Sequence, residues 1–124
     1  MVETQLLEKK IGEVLGLEMA AQKAIDYLES KGILDKKELE REVNEIRKEA
    51  NSHQTQLEEL CQKLSDSEGL NVDTIKNTAK ETDQKATKMM QTYLGDNPDL
   101  SEALDFLSIA EGGEVVHYEA LNAM

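Results

Sequence analysis

Residues 7–28 read Leu7-Glu8-Lys9-Lys10-Ile11-Gly12-Glu13-Val14-Leu15-Gly16-Leu17-Glu18-Met19-Ala20-Ala21-Gln22-Lys23-Ala24-Ile25-Asp26-Tyr27-Leu28. Apolar positions recur at Leu7, Ile11, Val14, Ala21, Ile25 and Leu28, in steps of four and three. That rhythm is the period of one helix face, not the alternation of a strand. It also reaches position 18, where the residue is Glu18. A carboxylate on a core stripe is costly unless something pairs with it. The stretch therefore predicts a long core-facing helix with one polar residue placed inside the core.

The same pattern returns downstream. A second stripe runs Leu39, Val43, Ile46, Ala50, Leu57, Leu60 and Leu64, with His53 in phase and Glu49 one turn before it. A third, richer in Thr, Asn and Lys, runs Ile75, Ala79, Thr82, Ala86, Met89 and Tyr93. The last runs Leu100, Ala103, Leu107, Ala110, Leu121 and Met124, and the positions it skips are Glu114 and His117. Helix boundaries follow from punctuation. Gly32 stops the first helix, which spans about Glu3 to Ser30. Asp35 with Glu38 has the spacing of a capping box for the second, which ends near Leu64 before Ser65-Asp66-Ser67-Glu68-Gly69. Asn71 or Asp73 restarts the chain, Gly95 closes the third helix, and Asn97-Pro98-Asp99 reads as a capping Asn followed by Pro at the first helical position.

The fold class expected is all-α. The seven residues from Ser65 to Asn71 reach at most ~25 Å, whereas a 24-residue helix is about 36 Å long. That loop cannot run the length of a helix, so successive helices are expected as antiparallel neighbours in an up-down-up-down four-helix bundle. A chain of 124 residues without a linker is one domain, 1–124.

Composition narrows the function. A net charge of −12 argues against nucleic acid, which needs clustered Lys and Arg, and against an anionic membrane surface. No apolar run approaches the ~20 residues of a membrane span, and Met1-Val2-Glu3-Thr4 lacks the basic and apolar regions of a signal peptide. The single cysteine, Cys61, cannot form an internal disulfide; a reducing, cytoplasmic setting is the simple inference. It neighbours core Leu60, with no His within a turn to activate it, and reads as an inert thiol.

Candidate chemistry lies on the stripes. Counted outward from the connecting loops, Glu18, Glu49, His53 and Asp83 share a layer. Glu114 lies one turn away and His117 nearly two. Carboxylates and imidazoles suit iron, manganese or zinc, and metal ions would neutralise charges that otherwise could not be buried. Glu114-Val115-Val116-His117 places Glu and His one turn apart on one face. Gly112-Gly113, directly before it, allows three readings: a break in the helix, a close approach by a neighbour, or a kink that aims Glu114 and His117 inward.

On these residues the chain resembles the ferritin-like superfamily of small carboxylate-bridged di-iron bundles, which use one Glu from each of two helices and Glu-x-x-His from the other two. Leu17-Glu18-Met19-Ala20-Ala21 is similar to the first-helix ligand region. Glu114-Val115-Val116-His117-Tyr118-Glu119-Ala120-Leu121 is similar to a ligand helix in which His-Tyr-Glu recurs. The resemblance implies a di-iron or manganese centre reacting with oxygen or peroxide. Glu18 and Glu114 are then carboxylate ligands, His53 and His117 nitrogen ligands, and Glu49 and Asp83 complete the shell. The chain differs from that pattern in three ways: Glu49 and His53 are spaced Glu-x-x-x-His, Asp83 is shorter than Glu, and there is no long crossover between the second and third helices. A one-metal site is the reduced form of the same reading. Metal ions are the expected partners, and a homo-oligomer is the expected assembly. The alternative is a non-enzymatic acidic bundle that associates through an apolar face, as a homo-oligomer or an adaptor.

Overall fold

The computed structural model describes residues 4–32 and 37–123, apart from the side chains of residues 37, 38 and 111. Four helices follow one another: α1 Thr4–Ser30, α2 Lys37–Glu68, α3 Val72–Leu94 and α4 Leu100–Asn122. No strand occurs among the described residues. No helix among them is long and apolar enough to cross a membrane. The Asp35–Glu38 capping box and Met124 lie outside what is described.

Local chemistry explains the ends. Asn71 caps α3 by accepting from Thr74 N at 3.1 Å. Gly95, at φ 66°, closes α3 in a conformation that costs a side chain dearly, and its N–H donates to the Gln91 carbonyl. Two boundaries differ from the sequence reading. Helix α2 continues to Glu68 because its polar tail bonds along the helix: Gln62 donates to Asp66, and the Ser67 hydroxyl donates to the Lys63 carbonyl. At α4 the cap is Asp99, not Asn97: its carboxylate accepts from Glu102 N at 2.8 Å while its backbone is extended. Pro98 therefore precedes the cap rather than opening the helix.

Helix α1 is the hub, packed against each of the other three. Its closest partner is α3, through Gly12 and Gly16. A Cβ added at Gly12 would lie 2.6 Å from Thr78 Cβ and 2.8 Å from the Ile75 carbonyl oxygen; at Gly16 it would lie 2.5 Å from the Ala79 carbonyl oxygen. Pairs between these helices advance together: Glu8 with Asn71, Gly16 with Ala79, Tyr27 with Gly95. Pairs from α1 to α2 run in the opposite sense: Glu18 with His53, and Asp26 and Glu29 with Arg47. Among the described residues no Cα of α2 comes within 8 Å of one in α4.

Two apolar clusters form the core. One gathers Ile11, Val14, Leu15, Leu57, Cys61, Leu70, Ile75 and Ala79. The other gathers Ala24, Ile25, Leu28, Val43, Met90, Leu94 and Ala103. Along α1 the first ends at Leu15 and the second begins at Ala24, with Glu18 between them.

Candidate metal centre

Glu18 is fully buried, at 0% exposure. It sits there because α1 is enclosed by its neighbours and position 18 is in phase with Ile11, Val14 and Ile25. Two side chains converge on one of its oxygens. The Tyr118 hydroxyl of α4 donates to Oε1 at 2.8 Å. His53 Nδ1 of α2 lies 3.3 Å from the same atom, and it donates there in the tautomer that carries its proton on Nδ1, leaving Nε2 with the lone pair. The His53 and Tyr118 rings meet edge to face, with centroids 5.7 Å apart. Glu18 Oε2 is buried without a hydrogen-bond partner among the described residues. Nearby, Gln22 donates to Gln54 Oε1 at 2.6 Å and fixes the register of α1 against α2.

A cavity of about 40 Å³ opens beside this network, lined by Ala21, Ala24, Ile25, Ile46, Ala50, Leu107 and Ala110 and by three polar side chains, Glu49, His53 and Glu114. It exceeds the ~10–15 Å³ that one small polar occupant requires. His53 belongs both to this wall and to the Glu18 network.

The six residues read from the sequence do not meet at one point. Glu18 and His53 touch. Glu49, an exposed residue of α2, and Glu114, half-buried on α4, share the cavity wall with His53. Asp83 is buried but engaged elsewhere: its carboxylate pairs with Lys23 and accepts from the Thr87 hydroxyl at 3.3 Å. His117 turns to Glu13, with Nδ1 3.7 Å from Oε2, and Glu13 also pairs with Lys10. Among the described residues no three His, Cys, Asp or Glu side chains stand close enough together to hold an ion as they are. The donor set fits a two-metal shell poorly, since Asp83 and His117 have other partners. It fits a single ion better, with the unpartnered Glu18 Oε2 beside His53, and with His53, Glu49 and Glu114 on the wall of one cavity.

Tyr118 is the site residue that sequence reasoning left without a role. Its signal was present in the helix period. A strict 3.5-residue repeat from Glu114 leads to His117 as readily as to Tyr118, but the true 3.6-residue period favours the i+4 neighbour. The Tyr118 phenol is pushed well above its ordinary value of 10.0, first by burial, then by its hydrogen bond to Glu18, then by the charges of Glu18 and Glu114. It therefore acts as a neutral donor. Cys61 is buried, and burial together with the neighbouring Glu58 raises its thiol pKa, which fits the reading of an inert thiol.

Helix α4 is continuous through Gly112 and Gly113, and an added Cβ at either would meet nothing within 4 Å. Of the three readings of that pair, the break and the close approach are both overturned. No family model, no curated protein and no solved structure matches the chain.

Proposed function

We propose that this protein is a metal-binding helical bundle of ferritin-like, antiparallel layout, taking one iron or manganese ion at the Glu18–His53 layer. The observation that carries the reading is the buried Glu18 carboxylate with one oxygen unpartnered, joined through His53 to a cavity that Glu49 and Glu114 also line. A buried charge left half-satisfied is costly, and a cation is the strongest partner it can find. Glu18 Oε2 would hold the ion, and His53 would join through Nδ1 by giving up its contact with Oε1 and moving its proton to Nε2, with Glu49 and Glu114 drawn in from the cavity wall. An ion of this kind supplies one-electron chemistry toward oxygen or peroxide. The protein's part is to exclude water with the apolar clusters on either side and to hold the carboxylate in place.

The test is thermal unfolding with and without added Mn²⁺. At free Mn²⁺ about a hundredfold above its dissociation constant, binding to the folded state adds ~2.7 kcal/mol of stability. The Glu18→Ala, His53→Ala double variant removes both polar members together and should stay folded but lose the shift. An unshifted wild-type midpoint at millimolar Mn²⁺ would sink the proposal.

A specific observation favours the adaptor reading as the rival. Met89, Ile109 and Val116 are 71%, 61% and 64% exposed. Met89 and Ile109 also line an apolar groove of about 180 Å³ between α1, α3 and α4. Sedimentation equilibrium of wild type against Ile109→Glu tests it. Concentration-dependent association abolished by the substitution supports the rival, and a monomer in both cases removes it.

A further inference from the structure

Helix α4 brings two candidate side chains toward α1, and they part company. His117 goes to Glu13. Tyr118 goes to Glu18, donating to Oε1 at 2.8 Å. With His53 Nδ1 also on Oε1, both polar neighbours of the carboxylate converge on one oxygen, and the other, Oε2, is the buried unpartnered one. The edge-to-face packing of Tyr118 on His53 restrains both rings, so the carboxylate is held by two donors that are themselves held.

Resting on the metal reading above, we propose that Tyr118, and not His117, is the α4 residue that positions the Glu18 carboxylate of the centre. By donating to Oε1 it fixes the plane of the Glu18 carboxylate and leaves Oε2 as the oxygen presented to the ion. This is the arrangement in which partners behind a ligand set its orientation and basicity. Removing such a partner typically costs ~10–100-fold in metal affinity. His117, half exposed and paired with Glu13 across 3.7 Å, has no such hold on the buried carboxylate.

Co²⁺ alone is the probe, titrated into full-length wild type, Tyr118→Phe, His117→Ala and Glu18→Gln, with circular dichroism confirming that each chain is folded. Tyr118→Phe should weaken Co²⁺ binding ~10–100-fold and alter the visible ligand-field band. His117→Ala should change affinity by no more than about fivefold, as loss of a partly exposed pair does. A metal-free arm uses proton NMR. The Tyr118 hydroxyl should give a slowly exchanging downfield resonance, absent in Tyr118→Phe. In Glu18→Gln it should move upfield, since a neutral amide is a weaker acceptor than a carboxylate. Wild-type affinity and an unchanged band in Tyr118→Phe overturn the inference, as does a larger loss in His117→Ala. If wild type takes up no Co²⁺, the metal reading fails by itself. The hydroxyl resonance then decides the rest: its presence and its dependence on Glu18 support Tyr118 as the residue that fixes the carboxylate, and its absence overturns that too.

Discussion

Glu18 pairs full burial with incomplete satisfaction. Hydrogen bonds to a charged group contribute ~1.5–3 kcal/mol each, and Glu18 receives them on Oε1 only. Glu18→Gln keeps an oxygen for Tyr118 and removes the buried charge. In metal-free protein it should therefore unfold at an equal or higher temperature than wild type, while losing the Mn²⁺-dependent shift. A fall in the midpoint beyond ~1 kcal/mol would mean that Glu18 is a structural ion-pair member and not a destabilised binding group. Tyr118 gives a second residue-scale outcome. Its folded-state pKa is raised above its unfolded value, so the unfolded chain releases this proton first as pH rises. The stability from Tyr118 is complete below pH ~10 and is lost as pH climbs beyond it. Midpoints measured from pH 8 to 11 should fall more steeply in wild type than in Tyr118→Phe; parallel curves would contradict the buried hydrogen bond.

The four glycines inside helices divide by neighbour. Gly16 faces the α3 backbone, so Gly16→Ala should push the helices apart and destabilise by ~1–3 kcal/mol. Gly113 faces open space on a continuous helix, so Gly113→Ala should stabilise by about 1 kcal/mol. Chemical denaturation of both variants checks the opposite signs. Glu8 joins elements differently: its buried carboxylate accepts from the Asn71 backbone N–H at the start of α3. Glu8→Ala should cost roughly 1.5–3 kcal/mol, measured in the same way. These features mark how much was legible. The stripes place the helices because burial imposes the 3.6-residue period: Ile11, Val14, Ile25, Val43, Ile75 and Ala103 are buried as read, whereas Leu60, Met89 and Tyr93, read on the same stripes, are exposed because α2 and α3 are covered mainly on the side that faces α1. The hub arrangement was not legible, because it turns on which side of α1 carries Gly12 and Gly16, and a glycine in a helix reads locally as a weakness. The Asp99 cap was missed because Asn97-Pro98 supplies an equally good local signal two residues earlier.

Across the whole molecule a polar layer separates two apolar clusters, and α1 threads both. Equal distance from the turns brought Glu18 against His53, with Glu49 one turn away along α2. Asp83 also reaches α1, its backbone beside Gly16, but its carboxylate pairs with Lys23; His117, read as nearly two turns off that layer, pairs with Glu13. Periodicity identifies a side chain's face; the identity of its partner depends on side-chain reach and charge on the facing helices, which no single stripe contains. The layer at Glu18 is proposed to hold a cation. The most direct measurement is elemental analysis of purified protein after reconstitution with iron or manganese and removal of loosely held ions, in wild type and in the Glu18→Ala, His53→Ala variant. Wild type should retain about one equivalent and the folded variant essentially none, since a site that stabilises the fold fills by mass action. Less than about a tenth of an equivalent in wild type, or equal retention by both chains, would contradict it.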